Sequence, residues 1–328
     1  MVKTVLFHKL VETLPDVSGK VFVITGTTSG TGNAAARTVA KLGGEAVLLN
    51  RKSERSSNSL ALMKEEYPNA KLVPFECDLQ SFESVKTAIA AIKLKYSSIY
   101  CLACNAGIMA TPDKATVDGY DTQMQTNHLS HFLLIEELMP LLEEGANVHG
   151  EARIVTHSSG ARDACQTPDK GLDAKFFGKN GGNLGGDEMK LFKGPVFERY
   201  FQSKLANSVH MYGLHERLQK SGSKVKAISC HPGGSDTNLG DHLKFGWLTD
   251  MVVKGMFKFM VQSQEDGALG LLRGMMDPEA ESGVLYGPKN SGLKGAAVPN
   301  PPKEYETDPK AIAMLFKTSE EAVAPFRS

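Results

Sequence analysis

The stretch Val21-Phe22-Val23-Ile24-Thr25-Gly26-Thr27-Thr28-Ser29-Gly30-Thr31-Gly32 decides the fold. Its first five residues are apolar or β-branched, as a short buried strand requires. Glycines follow without a break. Asn33 to Leu42 is rich in alanine and reads as a helix ended by Gly43-Gly44. Strand, glycine turn and helix together form a setting that suits a dinucleotide. Glycine lets the backbone come close to a diphosphate, and the first N–H groups of a helix carry partial positive charge. The spacing is G-x-x-x-G-x-G, not the commoner G-x-G-x-x-G.

Outward from this unit the pattern repeats. Glu45 to Asn50 reads as a second strand. A carboxylate at its end would bind the ribose 2′-hydroxyl of NAD. Asn50 stands there instead, followed by Arg51, with Lys52 and Arg55 close by. A carboxylate would repel a 2′-phosphate, whereas a guanidinium grips it with two parallel bonds. NADP(H) is therefore the expected cofactor, ahead of NAD(H), with Arg51 on the 2′-phosphate. The bland alternative is that these are solvated charges opening the next helix.

The chain continues with a helix over 54–67, a strand over 71–77 ending Asp78-Leu79, and a helix over 81–96 with Ser81 as N-cap. A fourth strand ends Cys104-Asn105-Ala106-Gly107. A long helical stretch over 119–143 contains Asn127, whose bland reading is an exposed amide. A fifth strand ends His157-Ser158-Ser159-Gly160, a sixth covers 224–230, and a short last one covers 284–288. Alternating strands and helices imply a doubly wound parallel α/β sheet (Rossmann fold) of about seven strands flanked by helices, in a single domain. Ligands of such sheets bind at the carboxyl ends of the strands. Gly26, Asn50, Arg51, Asp78, Asn105 and Ser159 all fall at those ends. The expected division is an N-terminal arm over 1–17, the sheet domain over 18–290 and a tail over 291–328 that is loop-like to 309 and then helical. Two segments interrupt the alternation. Residues 161–198 are glycine-rich and read as a long loop, the kind that often covers a site. Residues 238–262 carry Phe245, Trp247, Met256 and Phe257 among lysines. They suit a cover over an apolar substrate, a surface leaning on a membrane, or a plain amphipathic core helix.

Tyr200 and Lys204 lie four residues apart in a helical stretch and so leave one face of it. A nearby ammonium favours the phenolate and lowers the pKa of a tyrosine, ordinarily about 10, toward useful acid–base chemistry. Alone, the spacing is common on surface helices.

Composition narrows the classes. The chain has 328 residues, with Lys+Arg and Asp+Glu both at 37. Zero net charge argues against nucleic acid as a partner. No apolar run spans a bilayer, and the first twenty or so residues lack the apolar core of a secretory signal. Five cysteines, an odd and sparse set, fit the cytoplasm or another reducing compartment. Cys101 and Cys104 sit three apart in an apolar strand and should face opposite sides, as core residues and not a redox pair. No metal site is expected.

In order, Thr25-Gly26-x-x-x-Gly30-x-Gly32, Asn105-Ala106-Gly107, Asn127, Ser159, Tyr200-x-x-x-Lys204 and Pro232-Gly233 with Thr237 resemble the short-chain dehydrogenase/reductase family over roughly residues 18–290. Asn127-His128-Leu129-Ser130-His131-Phe132, Gln202-Ser203-Lys204-Leu205-Ala206-Asn207 and the insert before Tyr200 are similar to its retinol-dehydrogenase-like branch. The resemblance implies a hydride transfer between NADP(H) and a carbonyl/alcohol pair on a small apolar substrate. Tyr200 would be the general acid/base. Lys204 would hold the nicotinamide ribose and lower the Tyr200 pKa, Ser159 (with Ser158 as rival) would bind the substrate oxygen, and Asn127 would support a water chain. It further implies that Gly26, Thr28, Ser29, Gly30, Thr31 and Gly32 form the diphosphate loop and that Asp78 and Leu79 border the adenine. Asn105, Ala106 and Gly107 would border the adenosine ribose, and Pro232, Gly233 and Thr237 the nicotinamide. Cys104 stands where the family often has asparagine. The long Ser159–Tyr200 gap leaves the oligomeric state open. Two other functions remain compatible: an NADP(H)-binding sensor or scaffold without turnover, and reduction of a carbon–carbon double bond in the manner of the related protochlorophyllide reductases.

Overall fold

Strand β1 (Val21–Thr25) pairs in parallel with β2 (Glu45–Asn50) on one side and β4 (Cys101–Cys104) on the other. The computed structural model describes residues 3–189, 193–234, 261–290 and 292–327. From β1 the sheet grows outward through β3 (Lys71–Glu76), β5 (Ala152–His157), β6 (Val225–Cys230), β7 (Leu285–Asn290) and β8 (Lys294–Asn300), in the order β3-β2-β1-β4-β5-β6-β7-β8. All neighbours are parallel except β7 and β8. The strands are buried on both faces because side chains alternate between two cores. Along β1, Phe22 and Ile24 enter one cluster and Val23 enters the other. The same alternation sends Cys101 to one core and Cys104 to the opposite one, and both thiols are free and buried. Burial pushes the Cys101 thiol up to about 12, so it stays protonated and inert.

The helices cover both faces. They include α2 (Gly30–Lys41), α3 (Glu54–Glu66), α4 (Phe82–Lys95), α6 (Ser130–His149) and α7 (Pro195–Ser221). Ser53 and Ser81 cap α3 and α4 by accepting N–H bonds from Ser56 and Ser84. In α7 the burial is nearly continuous from Arg199 to Leu214, because the helix lies between sheet and tail.

Three segments differ from expectation. The stretch expected as one helix over 119–143 is broken into α5 (Thr122–Met124), a π-turn over Gln125–Leu129, and α6. The cause is Asn127. Its Oδ1 accepts from the Ile108 N–H at 2.8 Å and its Nδ2 donates to Ile108 O at 2.9 Å. These two bonds clamp the buried amide to the loop backbone at the π-turn, an element seen mostly as a single turn and often at functional sites. The tail expected as loop over 294–309 contains β8, an eighth strand. Lys294-Gly295-Ala296-Ala297-Val298-Pro299-Asn300 has few strong strand formers, so its conformation comes from pairing with the open edge of β7. Pro299 is tolerated because β8 is itself an edge. The helix closing the tail buries Leu315, Phe316, Ala322 and Val323 within Pro309–Val323, so the tail belongs to the core.

At the other end, α1 (Phe7–Val11) is anchored by Asp266, whose carboxylate accepts the N–H groups of Val5, Leu6 and Phe7. Val11, Leu14 and Val17 are buried beneath it. The arm therefore docks on its own domain.

Candidate active site

The site is built from the carboxyl ends of the strands. Gly26 and Gly30 have positive φ, +73° and +62°, a region that side chains rarely adopt. A Cβ on Gly26 would sit 2.9 Å from Ala106, so the turn after β1 and the loop after β4 close on each other only with glycine there. Asn50 holds the same turn from the side. Its Oδ1 accepts from the Thr27 N–H and its Nδ2 donates to Thr27 Oγ1. The Asn50 side chain is thus engaged with the loop, and Arg51 beyond it is exposed. Arg55 donates to Ser29 Oγ.

Gly26, Thr28, Ser29, Gly30 and Thr31 line a cavity of about 520 Å³ that runs from Arg51 to Pro232. Asp78 and Leu79 border its one end. Asn105, Ala106 and Gly107 form its floor, and Tyr200 and Lys204 its other end. Four expected residues do not line it. Gly32 has another reason to be glycine: a Cβ there would overlap Gly26 O and Asn105 Nδ2, so it serves helix-to-loop packing. Gly233 (φ +63°) likewise packs against Leu293 O. Asn127 is fully buried, and Ser159 is half-buried beside the Tyr200 phenol. Thr237, and 238–260 of the expected covering segment, lie outside the described residues, as do 190–192 of the insert. The rest of the insert is irregular, with short 3-10 turns at Gly160–Ala164 and Ala174–Phe177.

At the closed end, Tyr200 and Lys204 are both 4 % exposed. The Ser159 side chain faces the Tyr200 phenol and pulls its pKa down. Ser158 lines the cavity, but its hydroxyl is engaged, donating to Lys204 O at 2.7 Å. Asn127 reaches Tyr200 indirectly: its Nδ2 donates to Ser203 Oγ, which donates to Tyr200 O. Lys204 Nζ donates to His157 O at 3.0 Å and lies 5.8 Å from the centre of the Tyr200 ring. A Cβ on Gly107 would come within 3.0 Å of that Nζ, so glycine keeps the space in front of the ammonium open.

The electrostatics correct one expectation. Lys204 was to lower the Tyr200 pKa. Burial instead pushes the phenol up to about 12, against a smaller downward pull from Ser159. Burial also brings Lys204 down to about 8. Desolvation penalises both charged forms and outweighs an ammonium that is not in contact with the phenol oxygen. Tyr200 therefore keeps its proton at neutral pH and is set to donate it.

The polar atoms left over fit a dinucleotide. Among the described residues, the backbone N–H groups of Ser29 and Thr31 meet no protein acceptor, as the mouth of an anion site requires. Thr126 Oγ1 is buried without a partner and its residue lines the cavity. Arg51, Ser53 and Arg55 face the same end. Of the lining residues, Thr126, His157, Ile108, Met109 and Thr111 had been given no role from sequence. Only His157 carried a signal, as a histidine at the carboxyl end of a strand.

Beside Tyr200 a buried charge hub ties the loops together. Arg199, with no exposed surface, contacts Asp121 at 3.3 Å, Asp187 at 3.3 Å and Asp113 at 3.8 Å. Its Nη1 donates to Gly186 O and its Nη2 to Thr111 O. The Nε–Asp121 contact lacks hydrogen-bond geometry, so its contribution is mainly Coulombic. Asp113 in turn accepts from Leu184 and Gly186 N–H. The hub pins the insert and the 110–121 loop to the start of α7. Removing one partner leaves buried carboxylates uncompensated. Arg199→Met should lose about 3 kcal/mol of unfolding free energy by urea titration; an unchanged midpoint would show that the hub is energetically idle.

Comparison with known proteins agrees with this geometry. The family model described as short chain dehydrogenase matches residues 20–166. An uncharacterized oxidoreductase of Schizosaccharomyces pombe is 32% identical over 84% of this chain and 77% of its own length. Human polyprenol dehydrogenase is 28% identical over 81% of this chain and 76% of its own. The crystal structure of an uncharacterized protein from Mycobacterium paratuberculosis superposes with a TM-score of 0.72 at 28% identity, covering 96% of this chain and 97% of the other.

Proposed function

The chain belongs to the short-chain dehydrogenase/reductase family, and from that premise we propose that it is an NADP(H)-dependent oxidoreductase acting on the carbonyl or alcohol of an apolar substrate, with Tyr200 as general acid/base. When bound, the cofactor supplies or accepts the hydride. The chain does the rest. Ser29 and Thr31 present free N–H groups to the diphosphate. Lys204, with space kept open by Gly107, binds the nicotinamide-side ribose. Ser159 holds the substrate oxygen next to the Tyr200 phenol, which delivers a proton to it in reduction and takes one back in oxidation. Asn127 fixes the helix turn that carries Tyr200.

The observation that carries this reading is the Tyr200–Ser159 contact at the end of the glycine-loop cavity, with Lys204 beside it. The apolar substrate is supported by Ile108 and Met109 in the lining and by the name of the human relative. The test is oxidation of NADPH by the purified protein against a panel of ketones, aldehydes, retinoids and polyisoprenoid carbonyls. Consumption of NADPH with an alcohol product supports the reading. Tight binding without consumption would identify a sensor, and a saturated carbon–carbon product would identify a double-bond reductase.

The cofactor preference has its own test. Arg51→Ala should weaken NADPH binding by about 10- to 100-fold, the worth of a charge-assisted bond to phosphate, and leave NADH nearly unchanged. Fluorescence titration with each nucleotide checks it. Equal losses for both would remove Arg51 from the 2′-phosphate.

A further inference from the structure

His157 sits in the cavity between the glycine loop and Lys204, and its hydrogen bonds fix its chemistry. Asn105 Nδ2 donates to Thr25 O at 3.0 Å and Gly26 O at 3.3 Å. Carbonyls only accept, so the amide cannot be turned the other way. Asn105 Oδ1 is then the acceptor for Thr31 Oγ1 at 2.8 Å and for His157 Nδ1 at 2.9 Å. His157 Nδ1 must carry the proton, and Nε2 is left with a bare lone pair.

That lone pair has no partner. Among the described residues no donor meets Nε2, yet it is not among the buried atoms sealed from solvent, and the ring lines the cavity. The backbone of the same residue is saturated: His157 O accepts from Lys204 Nζ and from Asn207 Nδ2. The imidazole is held by Asn105, and the backbone that carries it by the catalytic helix. It is also held neutral. Burial and the charges of Lys204 and His231 push it down to about 3, so it does not compete with its ligand for a proton near neutrality.

We propose that His157 is a cofactor-binding residue whose Nε2 accepts a hydrogen bond from a hydroxyl or amide N–H of the bound dinucleotide. The donor belongs to the dinucleotide and not the substrate, because the ring is joined through Asn105 to Thr31 of the glycine loop. The residue thus links three parts of the site: the diphosphate turn, the floor loop and Lys204. This rests on the cofactor reading above.

The test uses the full chain. NADPH affinity is measured by fluorescence for the wild type, His157→Leu and His157→Gln. Leucine removes the acceptor and should weaken binding about fivefold to tenfold, the worth of one neutral hydrogen bond. Glutamine retains an acceptor and should restore most of the affinity. In parallel, the imidazole ¹⁵N spectrum of the wild type should show the Nδ1-protonated tautomer before NADPH is added, and a displaced Nε2 resonance after. An unchanged dissociation constant in His157→Leu, or an Nε2 signal indifferent to saturating NADPH, overturns the proposal. The spectrum decides the matter if the leucine variant fails to fold. If the wild type binds no NADPH, it is the cofactor reading that falls.

Discussion

Tyr200→Phe is expected to lower kcat by about 10³-fold while leaving NADPH binding within about twofold of the wild type. The substitution removes one oxygen and keeps the ring, which packs near Phe201 at the start of α7. Two things are lost: the proton donor to the substrate oxygen and the partner of Ser159. The nucleotide contacts proposed for Ser29, Thr31, Arg51 and Lys204 do not pass through the phenol, so affinity and turnover should separate. Single-turnover oxidation of NADPH with the best carbonyl of the panel measures turnover, and fluorescence titration measures affinity. A variant within tenfold of wild-type turnover would mean that the proton comes from elsewhere. Parallel collapse of binding and turnover would mean that the ring is structural.

The second large effect is acid lability. His128, His131, His157 and His231 are buried and pushed down to about 3, 4, 3 and 4, in each case first by desolvation. Their folded pKa values lie below the unfolded value of about 6.5. Their neutral forms therefore stabilise the fold fully above about pH 6.5, and that stability is lost as the pH falls toward the folded values, because only the unfolded chain takes up protons there. Asp121 opposes them. Burial raises it to about 6, so it favours the fold as the pH drops from there toward 4. These four histidines against one carboxylate leave a net uptake of about three protons, or roughly 4 kcal/mol per pH unit below about pH 5.5, and His210, also pushed well down by burial, adds to it. Glu151, held down to about 2 by Lys226 and Arg153, adds a further loss below about pH 4.5. Urea midpoints at pH 7.5, 6 and 5 test this. A midpoint that holds constant to pH 5 would mean that water or local opening lets these histidines titrate normally.

What was legible in the sequence was local. The β1 unit, the glycine turn and the strand ends follow from short-range periodicity, and the cavity gathers most of the residues found at those ends. The two cysteines of β4 could be assigned to opposite cores for the same reason, since a strand alternates. What escaped depends on partners distant along the chain. The π-turn at Asn127 exists because Ile108, 19 residues away, captures its amide. Strand β8 exists because β7 offers an edge. The Arg199 hub joins two loops, 110–121 and the insert, to α7 and has no sequence period. The direction of the Tyr200 shift was misread because a spacing of four residues shows that two groups share a helix face, not how deeply both are buried. The tautomer of His157 follows from Asn105, on another strand end, and no inspection of Val155-Thr156-His157-Ser158 would reveal it. Among the described residues no helix is long and apolar enough to cross a membrane.

The most direct test of the account is isotope transfer from NADPH deuterated at C4 of the nicotinamide ring, with the substrate chosen from the panel and the product read by mass spectrometry. The account predicts one deuterium on the carbon bearing the new hydroxyl, from the wild type and at a rate about 10³ lower from Tyr200→Phe. Deuterium on an alkene-derived carbon, or no transfer from protein saturated with NADPH, would contradict it.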